Sequence, residues 1–255
     1  MLFYGKSDVG AVRHENQDCF GIYELLPGVT LALICDGMGG NAGGSVASRL
    51  AIDTFAEMMR ETLIPDDPGE RAVINEKTVR RALESSAGAS NRRVYDKSLE
   101  NDGKLSGMGT TLVGLLTVGN ELAWSINVGD SRLYALSDAG MLQLTRDHSL
   151  VQQMIDSGSM KPEEAGKSPM RNIITKAIGT DTSVEADIRS VDTGLPGEKR
   201  YFLLCSDGLY VCVEREKIAE ILAMNAELPE KAELLVRAAL RAGAPDNVTV
   251  ILAEN

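Results

Sequence analysis

Histidine is nearly missing from this chain of 255 residues, which holds only His14 and His148. Cysteine is sparse as well: there are four, and no two form C-x-x-C. Together these gaps exclude a zinc site of the usual Cys/His kind. Three of the four cysteines stand in apolar surroundings, so Cys19, Cys35, Cys205 and Cys212 read as reduced, mostly buried thiols of a cytoplasmic protein. Basic residues are outnumbered, 26 against 37 acidic, leaving a net charge of −11. That balance argues against nucleic acid as a partner, because a phosphate backbone demands a basic face. It also argues against a polybasic membrane anchor. Long hydrophobic runs are lacking. The longest uncharged stretch, Leu105 to Asn120, contains Gly, Thr, Ser and Asn, whereas a spanning helix needs about 20 mostly apolar residues. The opening MLFYGKSDVG has no basic flank before an apolar run, so no secretory signal is expected. Internal repeats and low-complexity linkers are absent too, and nothing marks a domain boundary or a dedicated assembly surface. A monomer is the default.

Short apolar runs predict buried strands at Leu31–Cys35, Thr111–Thr117, Leu122–Val128, Leu133–Leu136, Tyr201–Cys205 and Val248–Leu252, with Gly119-Asn120 turning the second into the third. Helical spacing over 44–60 places Ala47, Leu50, Ala51, Phe55, Met58 and Met59 on one face. Over 70–97 it aligns Val79, Leu83, Ser90 and Val94, and later it marks Ile218, Ile221 and Leu222, then Leu234, Leu235, Ala238 and Ala239. Ile64 to Gly69 reads as a turn between the two long helices. This mixed order suits antiparallel sheet under helices, an α+β domain, rather than alternating βαβ units.

The informative pattern is an aspartate at the mouth of one apolar strand after another: LALICDG (Asp36, Gly37), WSINVGDS (Asp130), YFLLCSDG (Asp207) and PDNVTV (Asp246). A single Asp-Gly is most simply a turn. Four such aspartates at strand ends suggest carboxylates gathered at the rim of a core, where they would repel unless cations sat among them. Oxygen ligands with almost no His or Cys select Mg²⁺ or Mn²⁺. Such ions orient phosphate and activate water, so residue type and spacing point to metal-assisted phosphoryl chemistry.

Seven segments in order, SDVGAVRHENQD, ICDGMGGNAGG, GMGTTL, NVGDSRLY, LTRDHSLV, LLCSDGL and APDNVTV, make the chain closely similar to the metal-dependent protein Ser/Thr phosphatases of type 2C, especially the stand-alone bacterial kind. The resemblance implies a four-layer α-β-β-α sandwich with two antiparallel sheets and a binuclear metal centre. It implies one phosphatase domain over 1–255, with a flap insertion at about 146–180 that influences substrate choice. The activity implied is hydrolysis of phosphoserine and phosphothreonine in proteins by direct attack of metal-activated water, opposing a Ser/Thr kinase. By position, Asp36 is expected to bridge two Mn²⁺ or Mg²⁺ ions, with the Gly37 carbonyl on one and Asp207 and Asp246 on the other. Asp18 is expected to hold metal-bound water or to ligate directly. Asp130 with Asp207 matches a third, weaker site, and Arg13 matches the arginine that grips the substrate phosphate.

Two positions depart from the eukaryotic pattern. Gln17 replaces a metal-binding Glu, and Met38 replaces a His proposed as general acid; a thioether donates no proton. Bacterial members often share both changes. His148 could supply the missing proton, but a structural role at the start of the flap is the simpler reading. Cys35 and Cys205 read as buried small hydrophobes rather than nucleophiles, and the glycines of 37–44 as a tight turn without the GK[ST] of a P-loop. The alternatives to a general phosphatase are one dedicated to an anti-sigma-antagonist switch, and a non-catalytic phosphopeptide or metal sensor.

Overall fold

The computed structural model describes residues 1–40, 42–64, 72, 74–100, 103–194 and 198–255. Most of the expected turn at Ile64 to Gly69 lies outside them. One sheet has the order β1 (Leu2–Asp8), β11 (Val248–Glu254), β10 (Tyr201–Cys205), β7 (Arg132–Ser137), β8 (Gly140–Gln143). The other runs β2 (Asp18–Leu26), β3 (Val29–Met38), β5 (Leu112–Val118), β6 (Leu122–Val128), β9 (Asp187–Val191), with the short β4 (Gly109–Thr110) also on β3. Neighbouring strands pair antiparallel throughout both sheets.

The strand period of two explains the layers. Along β3, Leu31, Leu33 and Cys35 pack with Ala47, Ala51 and Phe55 of α1 (Gly43–Leu63) and Leu83 of α2 (Glu76–Ser98). The alternate residues Ala32 and Ile34 face the other sheet, against Leu133, Phe202, Leu204 and Ile251. On the far side, Leu203, Cys205, Val250 and Leu252 pack under α6 (Arg215–Ala223) and α7 (Leu228–Arg241) through Ile218, Leu222, Leu235 and Ala239. The result is a four-layer α-β-β-α sandwich. Its central strands are covered on both faces, which is why they read as unbroken apolar runs.

Several boundaries differ from the sequence reading. The helix expected over 70–97 begins at Glu76, because the Asn75 side chain accepts from the Thr78 N–H and the Thr78 hydroxyl accepts from the Asn75 N–H. Strands β1, β2, β8 and β9 gave no apolar run; each lies at a sheet edge and is partly solvated. Within the segment 146–180 the chain forms two short helices, α3 (Leu150–Asp156) and α4 (Pro162–Ala165). Its return is stitched to its start by Leu150 N–H to Ile173 O at 2.9 Å and Thr175 N–H to His148 O at 2.8 Å. Of the methionine pair expected in the core, Met59 is buried and Met58 only half-buried; Cys19, Cys35 and Cys205 are also buried, and all four thiols are free.

Candidate active site

The acidic strand ends meet where the two sheets open at one edge. Asp18 and Asp36 are register partners in β2 and β3. The next pair along, Gln17 and Gly37, is joined by Gly37 N–H to Gln17 O at 3.1 Å. Asp18 and Asp36 therefore form a non-hydrogen-bonded pair, the closer of the two antiparallel kinds, with Cα atoms about 4.5 Å apart. The backbone of Asp36 bonds the other way: its N–H donates to Thr111 Oγ1 at 3.0 Å, and its carbonyl accepts from the Thr111 N–H at 2.9 Å and Thr110 Oγ1 at 2.9 Å. Two like charges directly opposed on a sheet are destabilising, so a pattern that keeps them carries another demand.

Asp130 follows β6, Asp207 opens the four-residue helix α5 (Asp207–Tyr210) after β10, and Asp246 precedes β11. A cleft of about 340 Å³ is lined by Arg13, Gln17, Asp36, Gly37, Met38, Gly39, Asp130, Asn172, Ile174, Asp207 and Asp246. Of the expected site residues, all but Asp18 line it. Asp18 stands behind, its Oδ2 accepting from Ser206 Oγ at 2.7 Å. Arg13 Nη2 donates to Asp246 Oδ2 at 2.8 Å, and its side chain is 53% exposed. His148 does not line the cleft. Its Nδ1 accepts from the Gly129 N–H at 3.2 Å and its Nε2 lies 3.4 Å from Asp187, contacts that suit a structural role.

The glycine after each of two aspartates serves backbone packing. A Cβ on Gly37 would come within 2.1 Å of the Gly44 carbonyl oxygen at the start of α1, and one on Gly208 within 2.0 Å of the Asn247 carbonyl oxygen. These contacts press the Asp36 strand against α1 and the Asp207 turn against the Asp246 segment.

The electrostatics follow from burial. Burial first, then Asp18, Asp207, Asp130 and Asp246, push Asp36 well above the ordinary carboxylate range. Burial lifts Asp18 to about 6 against the downward pull of the Thr249 and Ser206 hydroxyls. Burial, then Asp130 and Asp246, raise Asp207 to about 7, and burial, then Asp147, raises Asp130 to about 6. Asp18 Oδ1 and Asp207 Oδ1 are buried without a hydrogen-bond partner. Orphaned, mutually repelling carboxylate oxygens fit hard divalent cations. Among the described residues no three acidic, imidazole or thiol groups are gathered tightly enough to enclose an ion by themselves.

Sequence reasoning missed the polar groups that hold this arrangement. Asn247 binds the Arg13 loop to β11: its Nδ2 donates to Val9 O at 2.8 Å and Glu15 O at 3.0 Å, and its Oδ1 accepts from the Gln17 N–H at 2.8 Å. The Thr111 and Ser131 hydroxyls lie 2.7 Å apart and link the Asp36 backbone to the Asp130 loop. A small polar residue beside Asp130, Asp207 and Asp246, namely Ser131, Ser206 and Asn247, was the available signal. Asn172 and Ile174, which bring the 146–180 segment into the cleft, had none.

Comparison with known proteins gives a consistent picture. A profile of the family described as Protein phosphatase 2C matches residues 11–242. The chain is 34% identical over 254 residues to the serine/threonine phosphatase stp of Listeria monocytogenes, covering 98% of this chain and 94% of that protein. Among solved structures, the serine/threonine phosphatase Stp1 from Staphylococcus aureus superposes with a TM-score of 0.88 at 34% identity, over 99% of this chain and 94% of that one. The catalytic domain of the serine threonine protein phosphatase PstP, solved in complex with two manganese ions, superposes with a TM-score of 0.77 at 35% identity, over 98% and 96%.

Proposed function

The chain belongs to the protein phosphatase 2C family and is a metal-dependent protein serine/threonine phosphatase acting on phosphoproteins, and from that premise we propose how its residues divide the work. The observation that carries the reading is the convergence of Asp36, Asp130, Asp207 and Asp246 on one cleft with Arg13 at its rim. Asp36 and the Gly37 carbonyl would hold one cation, Asp36, Asp207 and Asp246 would contribute oxygens to a second, and Asp130 with Asp207 would contribute to a weaker third. Mn²⁺ or Mg²⁺ fits this oxygen donor set. When bound, such ions supply Lewis acidity and lower the pKa of water.

Arg13 grips the phosphate through its planar fork, a bidentate contact lysine cannot reproduce. To do so it turns from Asp246, its partner at 2.8 Å. Asp18, held by Ser206 behind the cleft wall, would bear on the attacking water from behind Asp36, its register partner; attack on phosphorus is in line, with no phosphoenzyme. Gln17 offers only a neutral amide oxygen, which shifts the burden of orienting that water to Asp18. Met38 lines the cleft but brings no proton, and His148 faces elsewhere, so the leaving serine or threonine oxygen takes its proton from water or from another group of the cleft. Asn172 and Ile174 form the wall through which the flap, 146–180, influences substrate choice.

We read 1–255 as one phosphatase domain, monomeric, cytoplasmic and opposed to a Ser/Thr kinase. Free, mostly buried thiols support the compartment, and no described helix is long and apolar enough to cross a membrane. The test is hydrolysis of para-nitrophenyl phosphate and of a phosphothreonine protein, with Mn²⁺, with EDTA, and with Asp36→Asn. Turnover is expected only for the unaltered chain with Mn²⁺. Turnover that survives EDTA refutes this division of roles.

A further inference from the structure

A nearly buried cation stands behind the cleft wall, and the chemistry above does not use it. Arg132 opens β7, two residues after Asp130. Its side chain is 24% exposed and that of its partner Asp147 is 9% exposed. Arg132 Nε donates to both Asp147 oxygens at 3.1 Å, Nη2 donates to Asp147 Oδ2 at 2.7 Å, and Nη1 donates to Tyr134 Oη at 3.0 Å. The guanidinium carbon also lies 3.6 Å from the centre of the Tyr210 ring. Tyr210 closes the turn that Asp207 opens, and its hydroxyl donates to the Asp130 carbonyl at 3.0 Å.

One planar group therefore touches three things at once. Its stacked face holds the turn carrying Asp207. Through the Tyr210 hydroxyl it reaches the loop carrying Asp130. Its fork grips Asp147 at the root of the flap. The same loop is also tied to the start of the flap, where the His148 N–H donates to Gly129 O at 2.9 Å and Asn127 Nδ2 donates to Arg146 O at 3.0 Å.

Burying an ion pair contributes little net stability, since desolvation offsets most of the attraction. Its geometry, however, is stiff: a bidentate fork plus a ring stack leaves few orientations. The two acids it serves sit on backbone with little regular structure of its own, a four-residue helix for Asp207 and a loop with Gly129 at φ +108° for Asp130. Such short turns take part of their orientation from neighbours. A cation that packs against both while staying out of the cleft is placed to set the distance between two carboxylates without touching substrate.

We propose that Arg132 is a positioning residue: through Tyr210 and Asp147 it holds the Asp207 turn and the Asp130 loop at the spacing a shared divalent cation requires. The proposal rests on the reading that Asp130 and Asp207 face a cation.

The test is calorimetric titration of the purified chain with Mn²⁺, with thermal melting of the same samples, for the unaltered protein, Arg132→Lys, Tyr210→Leu and Asp207→Asn. Arg132→Lys keeps the charge and loses the fork and the stack. Tyr210→Leu keeps the Arg132–Asp147 pair and loses the link. Each is expected to weaken Mn²⁺ binding about 10- to 100-fold, the usual effect of removing a residue that orients a ligand. A variant that melts lower yet binds Mn²⁺ with unaltered affinity overturns the proposal, because that is how a purely structural ion pair behaves. If Arg132→Lys does not fold, Tyr210→Leu decides by the same measurement. If the unaltered chain binds no Mn²⁺, or Asp207→Asn binds it equally well, the cleft reading itself fails and the proposal falls with it.

Discussion

Replacing Asp207 by asparagine should stabilise the metal-free protein while abolishing most of its stabilisation by metal. Burial, then Asp130 and Asp246, lift this carboxyl from 3.8 to about 7. A group whose folded pKa is raised contributes stability that is fully present below its unfolded pKa and is lost as pH rises through the folded one. For Asp207 that window runs from 3.8 to about 7. At about 1.36 kcal/mol per unit, the ionised group costs the metal-free fold about 4 kcal/mol at pH 8. Asparagine escapes that cost but buries an amide in its place, leaving a net gain of about 2–3 kcal/mol. At about 2–4 °C per kcal/mol for a chain of this size, the variant should melt about 4–12 °C higher in EDTA at pH 8. The gap should shrink at pH 5, where the native carboxyl is already largely protonated. Mn²⁺ at about 100 times its Kd adds about 2.7 kcal/mol to the unaltered chain, and far less to the variant. Differential scanning calorimetry at both pH values, with Mn²⁺ and with EDTA, checks all of this. A metal-free variant that melts below the unaltered chain at pH 8, or an equal gain from Mn²⁺ in both, would refute the reasoning.

Other perturbations test separate parts of the site. Arg13→Lys should lower kcat/KM about 10- to 100-fold, close to 1.4–2.7 kcal/mol, by removing the bidentate phosphate contact; steady-state kinetics on a phosphopeptide checks it. Burial lowers the His148 pKa below its ordinary 6.5, so this group's contribution to stability is lost as pH falls through that depressed value. His148→Ala should therefore flatten the acid side of the stability curve while leaving the limbs of the pH–rate profile in place, and a displaced limb would make the imidazole a proton donor after all. Ser206→Ala strips a hydroxyl that donates to Asp18 and accepts from the buried Thr249 N–H at 3.0 Å. Urea denaturation should show a loss of about 1–3 kcal/mol, the cost of an unsatisfied buried donor.

How much was legible in the chain depended on whether a signal was local. Tyr201–Cys205 was readable to the residue because every one of its side chains is buried. The Asp-Gly pairs were readable because acid and small residue adjoin. Edge strands such as β1 and β8 were not, since half-solvated backbone has no distinctive composition. Asn247 was visible only as a turn former; its value lies in bonds to Val9 and Glu15, which stand far from it in the chain. Arg132 stood just before the strand expected at Leu133–Leu136 and carried no reading of its own, because nothing in its neighbourhood announces Asp147 or the ring of Tyr210.

The acids in and behind the cleft come from both halves of the sandwich: Asp18, Asp36 and Asp130 from the strands around β3, Asp207 and Asp246 from those around β10 and β11. Neither half owns a complete set. Turnover is therefore a direct reporter of whether the inner faces, Ile34 and Val113 against Phe202 and Ile251, have closed on each other. A partly folded chain with one sheet formed would hold isolated carboxylates and hydrolyse nothing, so competence arrives only with the final docking of the two layers.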